Sequence, residues 1–242
     1  MNTLLRALCV ILAVGLSASA GEEADVITKL EKSVKSPKSV RLKKDRQSGH
    51  IIELALNAPD LQNDELKIFN QLPYLKRLII SHAGYAKGKK SGVDFSGVVH
   101  LRSHPTLEYF SAGGAIGKEY LAALAKLENI SELYVQTSHS LDADWQPIGT
   151  MTHLKYLGIR VRNDRMSKLT EAMFPHLKPL VNLERFMVSE MTFKNPQPFV
   201  DLVVSLPQLK GLTIRRCMNL PKSAVDAIRR AKPGLAIEIR DR

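Results

Sequence analysis

One short phrase recurs along the chain and limits the folds that it can adopt. Each copy has an aliphatic residue, two variable residues, an aliphatic or aromatic residue, a variable residue and another aliphatic residue. The fourth residue of each copy is Leu54, Leu78, Phe110, Leu133, Leu157, Phe186, Leu212 and, in a degenerate last copy, Ile237. The steps between them are 24, 32, 23, 24, 29, 26 and 25 residues. A period in this range predicts a solenoid, in which each repeat packs against its neighbours.

The aliphatic positions of the phrase predict short strands, because alternating residues such as Leu54 and Leu56 place their side chains on one face. Several segments between the phrases have apolar residues spaced as in a helix. These segments are 61–69, 119–127, 167–177 and 223–230. We therefore predict an α/β fold in which about seven or eight parallel strands form one sheet and helices cover its outer side. Leu157 and Leu212 should then be fully buried.

The segment that leads into the phrase is also repeated, with the form Leu-Pro-x-Leu or His-Pro-x-Leu. It occurs at 72–75, 104–107 and 206–209. With these features, residues 50–242 resemble the leucine-rich repeat family, and Cys217 stands where that family has a buried Asn or Cys. The other repeats depart from the family at this position. The resemblance implies a right-handed solenoid with a curved sheet and helices on its convex side, similar to secreted bacterial members of unknown biochemistry.

The first 20 residues have the pattern of a secretory signal peptide. The pattern comprises a singly basic start, an apolar run at 7–16 and small residues at Ala18 and Ala20, which predict cleavage after Ala20. The apolar run is too short to span a bilayer, so we expect a secreted or periplasmic protein without a membrane span. Residues 21–49 are expected to form a helix and a hairpin that cap a repeat domain at 50–242.

The charge balance is strongly basic and favours anionic partners without specifying one. The formal net charge is +11, and removal of a signal peptide that contains Arg6 would leave +10. A secretory signal peptide argues against a nucleic-acid partner. The basic run from Lys32 to Arg46 is expected to be a solvated cap, with a contact surface as the alternative. Cys217 would be the only cysteine left after loss of Cys9, which excludes an internal disulfide.

No motif of the sequence carries the chemistry of an enzyme or a cofactor site. The segment 112–119, Ala-Gly-Gly-Ala-Ile-Gly-Lys-Glu, approaches the phosphate-binding P-loop. That loop needs a hydroxyl after the lysine to hold magnesium, whereas Glu119 would repel the phosphates. We expect the glycines to serve a tight turn, and we predict a non-enzymatic protein with no cofactor.

Two pairs of residues could ligate a metal, but each pair supplies too few ligands to form a site. His100 and His104 are four residues apart, but Pro105 follows them and no third ligand is near, so we expect a solvent-exposed pair. Asp142 and Asp144 offer too few oxygens for calcium and are expected to begin the outer segment of their repeat. We therefore predict no metal site.

The variable residues of the phrase define the surface on which a ligand would bind. Its third, fifth and seventh positions should point away from the core, on what we call the concave face. The third-position column is Glu53, Arg77, Tyr109, Glu132, Tyr156, Arg185, Gly211 and Ala236; the fifth is Ala55, Ile79, Ser111, Tyr134, Gly158, Met187, Thr213 and Glu238; the seventh is Asn57, Ser81, Gly113, Gln136, Arg160, Ser189, Arg215 and Arg240. Tyrosine and arginine are over-represented in binding hot spots. The predicted ligand-binding residues are Tyr109, Tyr134, Tyr156, Arg160, Arg185 and Arg215.

This surface predicts a secreted, monomeric recognition protein whose partner is a protein or an anionic polysaccharide. Two alternatives stay open at this point. The first is a structural component of the cell envelope without a discrete ligand. The second is a hydrolase or nucleotide-binding enzyme built on the repeats, which would need a deep pocket with convergent titratable residues.

Overall fold

The computed structural model describes residues 19–33, 40–57, 63–83, 85–86, 89–90, 96–114, 116–137, 140–161 and 168–241. The signal peptide lies outside these ranges except for its last two residues, so it stays a prediction, as does the division of the chain after residues 20 and 49. Within the described ranges, no helix is both long enough and apolar enough to cross a membrane.

Parallel strands form most of a nine-stranded sheet. The strands, in chain order, are β1 (Val40–Lys44), β2 (Ile51–Asn57), β3 (Arg77–Ala83), β4 (Tyr85–Ala86), β5 (Lys89–Lys90), β6 (Tyr109–Gly114), β7 (Glu132–Thr137), β8 (Tyr156–Val161), β9 (Arg185–Ser189), β10 (Gly211–Arg215) and β11 (Ala236–Arg240). β4 and β5 form a separate hairpin, and the other strands lie side by side in chain order. Within the nine-stranded sheet, β1 is antiparallel to β2 and every later pair is parallel.

The strand register follows the repeated phrase. The fourth residues of successive copies are direct partners, from Leu54 opposite Leu78 to Leu212 opposite Ile237. Leu157 and Leu212 are only 0% and 1% exposed, as the sequence predicted. One phrase for each parallel strand, with helices on one side of the sheet, confirms the α/β leucine-rich repeat solenoid.

The helices that cover the sheet are partly α-helical and partly of the tighter 3-10 type. The α-helices are α1 (Ala20–Ser33), α2 (Lys118–Leu124), α3 (Gln146–Gly149), α4 (Gln197–Ser205) and α5 (Lys222–Ala231); the 3-10 helices are Asn63–Gln71, Ser96–Leu101, Asp142–Trp145 and Glu171–Leu177. The predicted helices at 119–127 and 223–230 are thus α2 and α5, whereas those at 61–69 and 167–177 are 3-10. Pro175 inside the last of these lacks the N–H that an α-helix uses.

Polar side chains just before the phrase join successive repeats. In several repeats this side chain hydrogen-bonds a backbone carbonyl of the preceding repeat. These contacts are Thr106 Oγ1 to Pro73 at 2.8 Å, Asn129 Nδ2 to His104 at 2.5 Å, His153 Nε2 to Leu127 at 3.3 Å and Asn182 Nδ2 to Thr152 at 2.8 Å. These bonds give the carbonyls a donor and connect each of these repeats to the one before it.

His104 is buried, so the expectation of a solvent-exposed histidine pair is wrong for this residue. It replaces the leucine found at Leu72 and Leu206 in the equivalent lead-in segments. Its Nε2 donates to the carbonyls of Phe69 and Leu72 at 3.3 and 3.1 Å, and its Nδ1 accepts from the backbone N–H of Leu107 at 3.1 Å. Burial is the main cause that lowers the pKa of His104. The neutral ring therefore has a structural role, with both nitrogens in use.

A helix and a hairpin lie against the first repeat. The carboxylate of Glu23 on α1 is buried, accepts a hydrogen bond from the backbone N–H of Ile51 at 2.9 Å and lies 3.2 Å from His50 Nδ1. The His50 ring stacks on Tyr74 with centroids 3.9 Å apart. Glu23 therefore holds α1 against the start of β2.

Candidate functional site

The strand register places the three predicted columns on one face of the sheet. Glu132 lies opposite Tyr109 on one side and opposite Tyr156 on the other, so the third-position column is continuous. The seventh-position column crosses adjacent strands through Gln136, Arg160, Ser189 and Arg215. Because alternate residues of a strand share a face, these columns lie on the side away from the buried leucines.

Side chains of the third-position column form a continuous stack of charged and aromatic groups. The Cζ of Arg77 lies 3.7 Å from the centroid of the Tyr109 ring, and that of Arg185 lies 5.1 Å from the Tyr156 ring. Between the two rings, Glu132 lies 2.7 Å from Nη2 of Arg185 and 3.6 Å from Nη1 of Arg77. Each cation–π contact contributes about 0.5–1 kcal/mol at an exposed site. The stack therefore fixes the orientation of both tyrosines.

Arg185, one of the predicted ligand-binding residues, already has partners within the protein. Its guanidinium is already bound to Glu132 and rests on Tyr156, although its side chain is still 58% exposed. Glu132 stood in the predicted column but not among the predicted binding residues. The signal that points to it is the alternation of arginine, tyrosine and glutamate along one column of the sheet.

Tyr134 and Tyr156 meet over Gly158, which lies opposite Tyr134 in the register. A Cβ atom on Gly158 would lie 2.5 Å from Cδ2 of Tyr134 and 2.6 Å from the hydroxyl of Tyr156. Atoms cannot approach this closely, so the two rings occupy space that exists only because residue 158 is glycine. The hydroxyl of Tyr156 also donates to Sδ of Met187 at 3.9 Å. The tyrosines are therefore packed onto the sheet rather than extended into solvent.

Burial raises the pKa of each concave-face tyrosine, Tyr109, Tyr134 and Tyr156, and is the largest cause in every case. Nearby arginine charge acts in the opposite direction, for example that of Arg185 on Tyr156. All three hydroxyls are therefore neutral at physiological pH and keep the proton that a hydrogen-bond donor needs.

Glu190 connects Arg160 to the rim of the concave face. Nη2 of Arg160 lies 2.9 Å from Oε1 of Glu190, and Nη1 donates to Gln136 at 3.2 Å. The bond to Glu190 is the main cause that raises the pKa of Arg160. Glu190 follows β9 with a left-handed φ of 60° and also lies 3.7 Å from Arg216. Sequence reasoning missed Glu190, because it lies one position beyond the seventh column.

Arg215 differs from the other arginines of this face. Among the described residues its guanidinium has no ion pair and no hydrogen bond, and its Nε is buried without an acceptor. Arg240, the next residue in the column, instead lies 2.6 Å from Glu238. The positive charges of Arg160 and Arg215 both act to lower the pKa of Tyr134, against the larger effect of burial.

The segments considered for enzyme or metal chemistry have structural roles in the described part of the chain. Gly114 has a φ of 148° at the end of β6, a conformation that favours glycine; Ala115 lies outside the described residues. Asp142 accepts from the backbone N–H and the hydroxyl of Thr170, both at 2.7 Å, and so joins the outer segments of two repeats. No three His, Cys, Asp or Glu side chains of the described ranges come together to hold a metal.

Three solved structures that this chain resembles are distant from it in sequence. Internalin C2 of Listeria monocytogenes shows 12% identity over 88% of this chain and 92% of its own, with a TM-score of 0.43. An internalin, InlF, of the same species shows 15% identity over 72% of this chain and 46% of its own, with a TM-score of 0.40. A leucine-rich repeat protein of Leptospira interrogans shows 12% identity over 76% of this chain and 53% of its own, with a TM-score of 0.28.

The chain thus spans about half the length of the second and third of these structures. No protein-family profile and no curated protein sequence matches it. The repeat architecture rests on the strand order and register given above, and these distant likenesses say nothing about function.

Proposed function

We propose that the chain is a non-enzymatic recognition protein that binds a protein partner on its concave face. The contact surface is a tyrosine–arginine patch, formed by Tyr109, Tyr134, Tyr156, Arg160, Arg185 and Arg215. The observation that carries the proposal is the packing of Tyr134 and Tyr156 over Gly158, with arginines on both flanks. Aromatic side chains that are already held in place lose little conformational entropy on binding, which favours hot-spot residues of this kind.

Charge pairing on the face favours a protein partner over an anionic polysaccharide. Arg77 and Arg185 are matched by Glu132, and Arg160 is matched by Glu190. A polyanion would have to compete with these carboxylates for the same guanidinium groups. Tyrosine and arginine are enriched in protein–protein interfaces, where charge is otherwise reduced at the centre.

We also propose that the protein acts outside the cytoplasm as a monomer. The support for secretion is the pattern of residues 1–20, a basic start followed by an apolar run and a small-residue cleavage signal. The alternative is a structural protein of the cell envelope that has no discrete ligand. The following experiment distinguishes this alternative from a recognition protein.

Site-specific photo-crosslinking tests which face binds. Benzoylphenylalanine replaces Thr213 on the concave face in one variant and the exposed Val204 on α4 in a second. Each variant is irradiated with the extracellular and envelope proteins of the producing cells. We expect a defined adduct from position 213 that is absent from position 204. Adding Tyr134→Ala to the first variant should reduce the adduct, because the partner would lose a central contact.

Crosslinking of equal strength from both positions, or only from position 204, contradicts the proposal, and no adduct from either position favours the structural alternative. With the captured partner in hand, replacing Tyr134 and Arg160 together by alanine should weaken binding by about 2–4 kcal/mol. Affinity that falls only slightly with salt fits a protein interface, whereas a steep fall indicates a polyanionic ligand.

A further inference from the structure

The predicted cleavage site lies inside the first turn of α1. Cleavage after Ala20 breaks the peptide bond between Ala20 and Gly21, and α1 spans Ala20–Ser33. Both residues of this bond therefore have a helical backbone in the folded chain. A protease acts on a segment that can leave its secondary structure, so the hydrogen bonds and the packing of this turn decide whether the bond can be reached.

Ser19 and Glu22 make reciprocal hydrogen bonds across the cleavage site. The hydroxyl of Ser19 accepts from the backbone N–H of Glu22 at 3.3 Å, and the backbone N–H of Ser19 donates to the carboxylate of Glu22 at 2.6 Å. The carbonyl of Ser19 also accepts from the backbone N–H of Glu23 at 3.2 Å. This arrangement is a capping box, which satisfies N–H groups at the start of a helix. It joins a residue before the cleavage site to two residues after it.

The rest of α1 is held against the first repeat. Val26, Ile27 and Leu30 are buried in the same apolar core as the strands. The carboxylate of Glu23, on the third residue after the cleavage site, is also buried and accepts from the backbone N–H of Ile51 at 2.9 Å. The packing of the helix therefore begins within one turn of the cleavage site, and extending that turn into a protease disturbs both the capping box and the packing.

We infer that docking of α1 on the first repeat closes the cleavage site, so that the signal peptide is removed only before this helix docks. Cleavage adds water across the bond: Ala20 leaves with a carboxylate, and Gly21 keeps the amine as an ammonium. Ser19 leaves with the signal peptide, so the processed helix has lost its cap. A chain whose helix docks first keeps its signal peptide. The inference rests on the proposed secretion and adds the order of cleavage and folding.

The test compares the folded full-length chain with a peptide of residues 1–33, which contains the cleavage site but no repeat on which α1 can dock. The full-length chain is synthesised in the absence of membranes so that it folds uncleaved. Both substrates are treated with a signal peptidase in a mild detergent, and mass spectrometry follows the cut after Ala20. We expect the folded chain to be cut at least about tenfold more slowly than the peptide, because only the fraction with an opened α1 is a substrate.

Three variants separate the docking of α1 from other effects. Leu30→Ala leaves the cleavage site unchanged but removes a buried contact, and it should bring the cutting rate of the full-length chain most of the way to that of the peptide. Glu31→Ala changes an exposed residue of the same helix and should leave the rate within about twofold. His50→Ala removes the neighbour of Glu23 without changing the helix, and it should also raise the rate. Unfolding in urea checks that the repeats of each variant are still folded.

Equal cutting of the peptide and the folded full-length chain overturns the inference and leaves the proposed secretion intact. The inference also fails if Leu30→Ala and His50→Ala are both cut as slowly as the native chain, because the docking of α1 would then not control access. A peptide that is not cut after Ala20 removes the cleavage site itself, and the inference with it. Recognition by the concave face is independent of all these outcomes.

Discussion

Arg185 on β9 donates a hydrogen bond at 2.7 Å to the carboxylate of Glu132 on β7, and so reaches across the intervening strand. That strand supplies Tyr156, whose ring lies beneath the guanidinium. Arg77 approaches the same carboxylate from the other side, over the ring of Tyr109. One glutamate therefore organises side chains from five adjacent strands, β3, β6, β7, β8 and β9, in the middle of the concave face.

The link between Glu132 and Arg185 should be measurable as a coupling energy. We expect a double-mutant cycle with Glu132→Gln and Arg185→Gln to give about 0.5–1 kcal/mol of coupling in the free energy of unfolding, measured in urea. The expected value is modest because Arg185 is 58% exposed and water screens the pair. It should exceed that of a simple surface pair, because Tyr156 supports the guanidinium from below.

The matched control for this cycle is the pair of Arg102 and Glu128. These side chains lie 2.6 Å apart, but they are 55% and 70% exposed and no aromatic ring of the described residues supports them. We expect their coupling to be below about 0.3 kcal/mol. Equal coupling in the two cycles would mean that the aromatic rings contribute nothing to the stack.

Gly158 should tolerate no side chain. Gly158→Ala would place a methyl group 2.5 Å from Tyr134 and 2.6 Å from Tyr156, so at least one ring must move away from the sheet. We expect a loss of about 1–3 kcal/mol in the free energy of unfolding, as for other overpacked sites, and a changed tyrosine signal in the near-ultraviolet circular dichroism spectrum. Affinity for the protein partner should fall with it.

Gly211 provides the control, because it lies on the same face at the start of β10. A Cβ atom there would meet only Cγ of Arg185, at an ordinary 3.7 Å. Gly211→Ala should therefore be neutral or stabilise the fold by up to about 1 kcal/mol, through a less flexible unfolded chain. A similar loss in both variants would show that the cost at Gly158 comes from the strand and not from the tyrosines.

The sequence predicts the backbone of this site well, because burial enforces a strict spacing. Leu157 and Ile159 have to face the core, so Tyr156, Gly158 and Arg160 have to face the other way. Even the longest step, from Leu78 to Phe110, leaves the two residues as direct partners. The register shifts between Ile80 and Ala83, so the third-position and fifth-position columns continue across this step and the seventh-position column is interrupted there.

The pairing of charges could not be predicted in the same way. Arg185 pairs with Glu132, which lies two strands away. Arg160 pairs with Glu190, which lies outside the columns and has a left-handed backbone conformation. These choices depend on side-chain reach and on a turn conformation, which the apolar period does not encode. His104 escaped prediction for a related reason, since a polar residue at a core position is stable only when the carbonyls around it accept its hydrogen bond.

The burial of His104 should make stability depend on pH. The pKa of His104 is lowered in the folded state. Below the ordinary histidine pKa of about 6.5, His104 therefore binds a proton more readily in the unfolded chain than in the folded one, which favours unfolding. Its contribution to the free energy of unfolding is therefore present at neutral pH and is lost as the pH falls through that value. We expect His104→Leu, the residue of the equivalent repeats, to remove this component.

The measurement is urea unfolding of both proteins at about pH 7.5 and about pH 5, on either side of the ordinary histidine pKa. The free energy of unfolding of the native protein, relative to that of His104→Leu, should be smaller at the lower pH. Other groups titrate equally in both proteins, so the comparison isolates His104. A difference that is the same at both pH values would show that the buried ring takes up a proton as readily as a free one.

Leu157 tests whether the repeated phrase stabilises the fold as a whole. Its side chain is 0% exposed at the centre of the sheet, between Leu133 and Phe186. Leu157→Ala leaves a cavity that rigid neighbouring repeats cannot fill, so we expect a loss of about 2–5 kcal/mol in the free energy of unfolding. Val204→Ala, at an exposed position on α4, should change it by no more than about 0.5 kcal/mol. If Leu157→Ala cost no more than Val204→Ala, the central strand would not be part of a continuous core.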